Sequence, residues 1–571
     1  MSKKFVNEVD ETVDDALQGL VLSNSDIKFH QKCERVIHRT EMNADSKVSL
    51  IAGGGSGHEP YSAGYVGKGL LTAAVAGNIF ASPPSRNVQA ALEATKGNAG
   101  AILFVINYTG DRLNFGLAAE RFNASGGNAK VVTISDDVAI DNPNSRVGRR
   151  GLAGAILTIK IAGAMAEQGK KLDEIVSASE NVVKSLGTLG VSLYPGSLPG
   201  KDREKGLPED QIEVGLGIHG EPGKSRGPFT NAKKIVTDLM ETLKSKLGMK
   251  TGEQFVVLVN NLGGVSQIEM SIVNGEVLNW LKHQKMTVKR FYSGIYMTSL
   301  DGHGISVTVL RATDTMIECL DYPSSAAGWI PPLSPFGSTR GEASKRSNVS
   351  DVKGSGARGN RQIIQKCLES VVTAMIDSKN RLNQLDAVAG DGDCGNTFAE
   401  AAKAIREIQK ELNVDQPQTL FKQLSIIFEQ TVGGTSGALY ALMLSAAAVC
   451  FSEICSIGTC VEALDRANQA VQKYGGARVG DRTMIDALNA AVESLQESMK
   501  KKDNLDLIRM CEDAVRASEQ AAEATAHQKA AVGRASYTSA EAQTEPDAGA
   551  TAISTWLRAI LKSFTENFKK C

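Results

Sequence analysis

The 571-residue sequence lacks several features, and each lack removes a class of function. Neither charge is in excess: 63 Lys plus Arg stand against 64 Asp plus Glu. A protein that follows a nucleic-acid backbone or an anionic membrane surface carries a basic surplus, so no nucleic-acid and no membrane partner is expected. No run reaches the roughly 18 apolar residues of a spanning helix, and MSKKFVNEVDETVDDAL has no apolar signal-peptide core. The nine cysteines form no CxxC pair. Cys450, Cys455 and Cys460 are evenly spaced, but no His or second Cys pair completes a zinc pattern, so they are expected on a helix end and its loop. There is no P-loop GK[ST] and no GxGxxG fingerprint. What remains is a cytosolic (reducing-compartment) protein for small molecules, with roughly two to four folding units.

Up to residue 335 the pattern alternates. β-rich runs at 47–54, 99–108, 130–135, 255–261 and 304–311 are separated by helical stretches such as Asn87–Lys96, Gly151–Gln168 and Ala232–Leu247. Such alternation predicts an α/β domain with largely buried sheets, whose binding loops follow the strands. Residues 336–358 are rich in Ser, Gly, Lys and Arg, a composition expected of a flexible linker. Beyond it apolar residues recur at three- and four-residue spacing in about eight segments, near 361–379, 398–413, 418–431, 437–452, 459–475, 484–500, 504–526 and 548–568. These predict an all-α bundle or barrel over 359–571.

Four motifs carry chemistry. GGGSGHEP (53–60) follows a strand, and its glycines let backbone N–H groups approach an oxygen-rich ligand, with His58 at the strand's C-terminal edge. NYTGDRLNF (107–115) also follows a strand; Asp111 there can accept a proton from a substrate hydroxyl or cap the following helix. GLGIHGEPG (215–223) sets His219 among glycines that leave a ligand room to reach the imidazole, but no His partner stands at metal spacing, and a lone histidine is also read as an ordinary surface or satisfied core residue. LDAVAGDGDCGNT (385–397) gathers Asp386, Asp391 and Asp393, which repel one another unless a cation neutralises them; hard oxygens suit Mg2+ with phosphate oxygens completing the shell, the alternative being a solvated acidic loop. Three later glycine-interrupted turns, at 432–438, 474–484 and 533–549, fall between predicted helices, whose N-termini would suit phosphates if gathered at one end.

In order and spacing these motifs, with GRRGLAG (148–154), GTLGVSL (187–193), VNNLGG (259–264), GDRTM and GRASY, resemble the single-chain ATP-dependent dihydroxyacetone kinases, and the animal branch of that family most closely. The resemblance covers nearly the whole chain. It implies two α/β subdomains for the substrate part (1–335) and an eight-helix barrel for the nucleotide part, in homodimers with exchanged domains. It implies that His219 holds dihydroxyacetone as a hemiaminal, with Asp111 as base for its hydroxyl and His58 as hydrogen-bonding partner. Gly55, Ser56 and Gly57 would add backbone contacts. D-Glyceraldehyde, also a carbonyl compound, would be a second substrate. Asp386, Asp391 and Asp393 match the ligands of two Mg2+ ions. Asp393, Cys394, Gly395, Asn396, Thr397, Thr435, Ser436, Gly475, Thr483, Met484, Glu545, Pro546 and Asp547 match nucleotide-contact segments. One position departs: the family's K-N-Y-T-G-D has a lysine at the sugar, where this chain has Ile106.

The animal branch also splits FAD into AMP and cyclic FMN, typically with Mn2+, so that lyase activity is a second expectation. A catalytically weak metabolite sensor or scaffold is the competing class, opposed by the intact motifs. A phosphotransferase-system subunit would divide the two halves between chains, which the fusion here disfavours.

Overall fold

The computed structural model describes residues 2–140, 147–202, 206–221, 223–336, 348–501, 506–539 and 543–568. The chain divides into two compact units, Met1–Thr339 and Arg340–Cys571.

The first unit holds two six-stranded sheets. One is built from β1 (Ile27–His30), β2 (Cys33–Arg39), β3 (Ser49–Ser56), β4 (Ala73–Ile79), β5 (Ala101–Ile106) and β6 (Ala129–Ile134), in the order β1-β2-β4-β3-β5-β6. Its β4-β3-β5-β6 part is parallel, and β5, AILFVI, is buried at all six positions, as a strand covered on both faces must be. The chain passes from β3 to β4 on one side and then crosses to β5 on the other. The carboxyl ends of β3 and β5 therefore flank a topological switch point, where α/β sheets form their binding crevice.

The second sheet contains β7 (Leu186–Tyr194), β8 (Gln211–Val214), β9 (Ser225–Pro228), β10 (Gln254–Asn261), β11 (Thr287–Gly294) and β12 (His303–Arg311), in the order β11-β10-β12-β7-β8-β9. Only β10 and β11 pair in parallel; the other pairs are antiparallel. Helices α1 (Thr12–Leu22), α2 (Ser85–Ala94), α3 (Thr109–Ala124), α4 (Gly154–Glu167), α5 (Leu172–Ser185), α6 (Ala232–Leu247), α7 (Gln267–His283) and α8 (Asp314–Asp321) complete the unit.

Twelve of the fourteen residues of α4 are buried, because one apolar cluster joins it to Leu50 and Phe104 of the first sheet and to Val256 and Leu258 of the second. Gly163 permits that fit: a Cβ there would stand 2.4 Å from the Gly69 carbonyl oxygen, so an alanine would lift α4 off its seat. The fully buried Lys160 ends at the C-terminus of α8, where Nζ donates to Cys319 O at 2.9 Å and Tyr322 O at 2.7 Å. A cation suits that end of a helix dipole, although burial pulls this ammonium down to about 8.

The second unit is helical: α9 (Arg361–Asp377), α10 (Lys379–Asp386), α11 (Cys394–Glu407), α12 (Pro417–Ile427), α13 (Gly434–Ala448), α14 (Ile457–Gly475), α15 (Met484–Lys500), α16 (Leu507–Ala524) and α17 (Ala548–Phe568). Eight of them form a closed ring, α9-α11-α12-α13-α14-α15-α16-α17 and back to α9, around a core that includes Ile485, Leu488 and Ile553. The expected architecture, α/β followed by an eight-helix barrel, is the one observed.

Three details differ from expectation. A ninth helix, α10, follows α9 after Ser378 and packs on α11 and α17. Part of the linker is not loose: of 336–358, residues 337–347 lie outside the described set, but Ser355 N–H donates to Thr419 Oγ1 at 2.8 Å and Ala357 N–H to Phe451 O at 2.9 Å. A segment poor in apolar side chains is held here by backbone hydrogen bonds, which composition does not register. Finally, among the described residues Gly434–Phe451 is long and apolar enough to cross a membrane by length and composition; it forms one wall of the ring, packed between α12 and α14.

Candidate active site

Two groups of candidate site residues form, one in each unit. In the first unit β3 runs into Gly53–Gly57, and the glycines are required by space. A Cβ on Gly53 would lie 2.4 Å from Val75 O, and one on Gly55 would lie 2.7 Å from Ala81 N. Gly57, at φ 97°, turns the chain so that His58 enters the interior. Ser56 Oγ donates to Gly77 O at 2.8 Å, which commits that hydroxyl to the loop.

His58 is 2 % exposed, and its Nδ1 lies 2.8 Å from Thr298 O, so Nδ1 carries the hydrogen and donates. Nε2 is left buried without a partner. Burial, reinforced by His219, pulls the imidazole down to about 3, so it is neutral at any working pH. The Thr298 segment is itself fixed: Asn260 Oδ1 accepts from Tyr296 N at 2.9 Å and Met297 N at 3.0 Å, while its Nδ2 donates to Met297 O at 2.7 Å. This gives the VNNLGG motif a structural task.

Asp111 lies in the first turn of α3 but does not cap it; the N-cap position is Tyr108, with no side-chain cap bond. Its carboxylate is 7 % exposed and Oδ1 has no partner. Burial raises its pKa, against a hydrogen bond from Ser82 and the nearby His219. Gly54 leaves the approach open, since a Cβ there would stand 3.8 Å from both carboxylate oxygens.

His219 arrives from the other sheet, in the turn between β8 and β9. Its ring meets Tyr108, His58 and Phe80 edge-on, with centroids 4.6, 4.9 and 5.2 Å away. Its Nδ1 lies 2.9 Å from Glu221 Oε1, and its backbone N–H donates to Glu221 Oε2 at 3.1 Å. The structure thus brings His58, Asp111 and His219 together, beside Gly55, Ser56 and Gly57. Ile106 ends β5 on the opposite face from α3: alternation puts Phe104 and Ile106 in the core around α4, and Leu103 and Val105 against Phe115. Ile106 is 2 % exposed and packs on Gly151. A cavity of about 470 Å³ lies between α1 and Gly54–Gly64, but His58, Asp111 and His219 do not line it.

The GRRGLAG and GTLGVSL motifs meet at Asp136. The fully buried Asp136 accepts from Leu152 N at 2.6 Å, Gly154 N at 2.9 Å and Thr188 Oγ1 at 2.5 Å, tying α4 to β7. Arg150 bridges Asp137 at 2.8 Å and donates to Gly215 O at 2.6 Å, which steadies the turn that carries His219.

In the second unit Asp386, Asp391 and Asp393 place carboxylate oxygens within 4.8 Å of one another. Asp386 Oδ2 accepts from Asp393 N at 3.0 Å and Cys394 N at 3.3 Å, which folds the glycine loop back over the start of α11. Gly395 is dictated by contact, since a Cβ would lie 1.9 Å from Lys379 O. Asn396 N donates to Asn383 Oδ1 at 3.0 Å, fixing the same end; Thr397 follows in the first turn of α11. The donor set is all hard oxygen and mostly exposed, which fits a Mg2+ ion that keeps waters and shares phosphate oxygens.

The starts of α15 and α17 lie beside this loop, where Asp547 feels both Asp486 and Asp386 and Arg381 reaches Glu545. Thr483 caps α15, where Asp486 accepts from Thr483 N at 2.8 Å and Gly480 N at 2.6 Å. Asp547 accepts from Ala550 N at 2.8 Å at the start of α17. Gly549 lets that start approach α15, its notional Cβ lying 3.5 Å from Met484 Cβ. The Glu545–Asp547 segment, with Pro546 at its centre, is held by Arg482 Nη2 on Glu545 O at 2.8 Å and by Arg381 on the Glu545 carboxylate at 3.3 Å. Burial, followed by Asp386, pushes the Cys394 thiol up to about 12. Thr435 and Ser436 open α13 after Gly433 and Gly434, whose φ angles are 61° and 57°. Gly475, at the end of α14, faces Leu439 of α13.

Sequence reasoning did not single out Glu221, Phe80, Tyr108, Arg150, Asn383 or Arg482. Glu221 had a local signal, two residues beyond His219 in the same glycine turn; Phe80 had none, because only the fold brings it to His219.

A family described as Dak1 domain matches residues 18–328, and one described as DAK2 domain matches 388–562. Triokinase/FMN cyclase of Homo sapiens is 40 % identical over 574 residues, with 98 % of this chain and 99 % of that protein covered. Its counterpart in Mus musculus is 39 % identical over 573 residues, with 98 % of both covered. The crystal structure of the dihydroxyacetone kinase from C. freundii in complex with AMP-PNP and Mg2+ matches at 32 % identity and a TM-score of 0.71, covering 99 % of this chain and 100 % of that one.

Proposed function

Because the chain belongs to the dihydroxyacetone kinase family, we propose that it transfers the γ-phosphoryl group of ATP to dihydroxyacetone held covalently on His219. The observation that carries this reading is the set of orphaned polar atoms beside His219. Asp111 Oδ1 and His58 Nε2 are buried without partners, a costly arrangement unless a small polar ligand completes it. In this reading residues 1–335 hold the sugar and 359–571 the nucleotide.

The imidazole nitrogen of His219 adds to the ketone carbon: a C–N bond forms, the carbonyl π pair moves to oxygen, and that oxygen takes up a proton. Glycerol has no electrophilic carbon and is not trapped. The adduct fixes the terminal hydroxyl, and orientation of this kind contributes up to about 7–11 kcal/mol in favourable systems. Asp111, raised by burial and therefore a stronger base than an exposed carboxylate, takes the hydroxyl proton as phosphorus is attacked. His58, neutral, accepts a sugar hydroxyl at Nε2. Asp386, Asp391 and Asp393 would hold Mg2+, which when bound neutralises phosphate charge. Residues 393–397, Thr435, Ser436, Gly475, Thr483, Met484 and 545–547 would contact the nucleotide. D-Glyceraldehyde, with an aldehyde carbon for His219, is a second substrate.

Intact mass spectrometry with dihydroxyacetone, together with ATP-dependent turnover, tests this. Wild type is expected to gain one triose on His219 and to be active, and His219→Ala to lose both. An inactive wild type would overturn the kinase reading; full activity in His219→Ala would overturn the covalent anchor.

The names of the human and mouse relatives, triokinase/FMN cyclase, support a second activity that forms cyclic FMN; as the resemblance implies, we assign it to the nucleotide site, with FAD split into AMP and cyclic FMN and Mn2+ as the metal. In the full chain His219→Ala should keep flavin release while losing kinase turnover. No release with either metal would end this reading. We further place the protein in the cytosol, as its scattered cysteines suggest, and make it a homodimer with exchanged domains, as the resemblance implies. Mixing His219→Ala with Asp391→Asn should restore turnover if the exchange exists and leave the mixture inactive if it does not.

A further inference from the structure

We propose that Glu221 is the positioning residue for His219, holding the imidazole in the tautomer with hydrogen on Nδ1 so that the lone pair on Nε2 is the one that reaches the substrate carbon. The inference deepens the covalent-anchor reading and rests on it.

Three observations carry the assignment. A carboxylate only accepts, so the 2.9 Å contact between Glu221 Oε1 and His219 Nδ1 requires a hydrogen on Nδ1. The second oxygen accepts from the His219 backbone N–H at 3.1 Å, so ring and main chain are gripped by one group. Tyr108, Phe80 and His58 stand edge-on to the ring, with interplanar angles of 80°, 77° and 70°, and oppose a flip that would present the other nitrogen.

The sequence makes room for this contact. A Cβ on Gly217 would lie 2.0 Å from Glu221 Oε2 and 2.9 Å from Arg150 Nη1, so only glycine lets the carboxylate take its place. Glu221 is also ionised: although burial works against it, the bond to His219 draws its carboxyl down to about 2.

The charge matters to the adduct. Addition forms the Nε2–C bond, sends the carbonyl π pair to oxygen, and has that oxygen protonated by solvent. The ring keeps its Nδ1 hydrogen and so becomes an imidazolium. That cation faces an anion which already holds its N–H, and the neutral ring before addition gains less from the same contact. Glu221 therefore stabilises the adduct more than it stabilises the free histidine.

Glu221→Gln separates this role from mere support of the turn. The amide has one acceptor oxygen and one NH2 group. If it still accepts from the backbone N–H, its NH2 faces Nδ1, and the ring is driven to carry hydrogen on Nε2 instead. The expected result is at least a tenfold loss of adduct at fixed dihydroxyacetone, a KM raised tenfold or more with a smaller change in kcat, and a nitrogen-15 NMR signature of His219 moved to the other tautomer. Gly217→Ala should reproduce the loss by pushing the carboxylate away. Undiminished adduct in Glu221→Gln would overturn the proposal and leave the anchor reading standing. If Glu221→Gln loses the native melting transition, the wild-type NMR tautomer decides: hydrogen on Nε2 overturns the proposal and hydrogen on Nδ1 supports it. A wild type that forms no adduct would overturn the anchor reading, and this inference with it.

Discussion

His58 gives its Nδ1–H to the Thr298 carbonyl at 2.8 Å, while its ring stands edge-on to that of His219 with centroids 4.9 Å apart. The first unit therefore contains a buried imidazole that burial and His219 together pull down to about 3. The folded value is below the unfolded one, near 6.5, so the unfolded chain binds the extra proton between them. Stability from this group is complete above about pH 6.5 and is lost as pH falls toward about 3, at up to about 1.4 kcal/mol per unit. Urea midpoints of wild type and His58→Asn, measured from pH 7 to pH 4, should converge as the pH is lowered. Parallel curves would show that His58 does not titrate in this way.

Asp111→Asn should separate anchoring from phosphoryl transfer. The asparagine keeps the shape and the contact with Ser82 but cannot take a proton, so turnover should fall about 10²–10⁴-fold, the usual contribution of a positioned base. The adduct on His219 should persist in intact mass spectra. Loss of the adduct along with turnover would mean that Asp111 binds rather than abstracts.

Much of this layout was legible in the sequence, for physical reasons. The β5 run AILFVI reads as a strand buried on both faces, and glycines after β3 mark a close backbone approach. The helices of the ring follow from apolar spacing, whereas their closure into a barrel came from the resemblance. What periodicity misses is pairing. The strands β1 (IKFH) and β8 (QIEV) alternate over only four residues, too few to stand out, and β9 (SRGP) carries no apolar signal; their pairing comes from hydrogen bonds supplied by neighbouring strands. Ser355 is polar and looks like linker, yet its N–H meets Thr419 Oγ1. In the site, His58, Asp111 and His219 each sat in a glycine-marked turn, whereas Phe80 reaches His219 only because β4 lies beside β3. The departure at Ile106 was visible at once, but its place on the α4 face of β5 was settled only by the strand's register.

The cation site makes its own prediction. Three carboxylates within 4.8 Å repel when no ion lies between them, so a bound ion should raise the melting temperature of the second unit. A ligand at 100 times its dissociation constant adds about 2.7 kcal/mol. Calorimetry of the full chain with Mg2+ or Mn2+ should show the shift, and EDTA should reverse it. Asp391→Asn should melt higher than wild type without metal and gain less on addition. An equal gain in the variant would exclude Asp391 as a ligand.

Asp547 gives the opposite pH sign. Burial pushes its carboxyl up to about 6, against the Ala550 N–H and the Arg482 cation, with Asp486 and Asp386 adding repulsion. A carboxyl raised above its unfolded value of 3.8 contributes stability that is full below about pH 3.8 and is lost as pH rises through about 6. At neutral pH the group is therefore a charged burden on the second unit, tolerated because one oxygen holds the start of α17 through Ala550. Asparagine keeps that acceptor and removes the charge. Asp547→Asn should raise the midpoint of the second unit at pH 7.5, by at most about 3 kcal/mol, and match wild type near pH 4. If it instead lowers the midpoint at pH 7.5, the attraction to Arg482 outweighs burial, and the carboxylate stabilises the end of the ring where the nucleotide would bind.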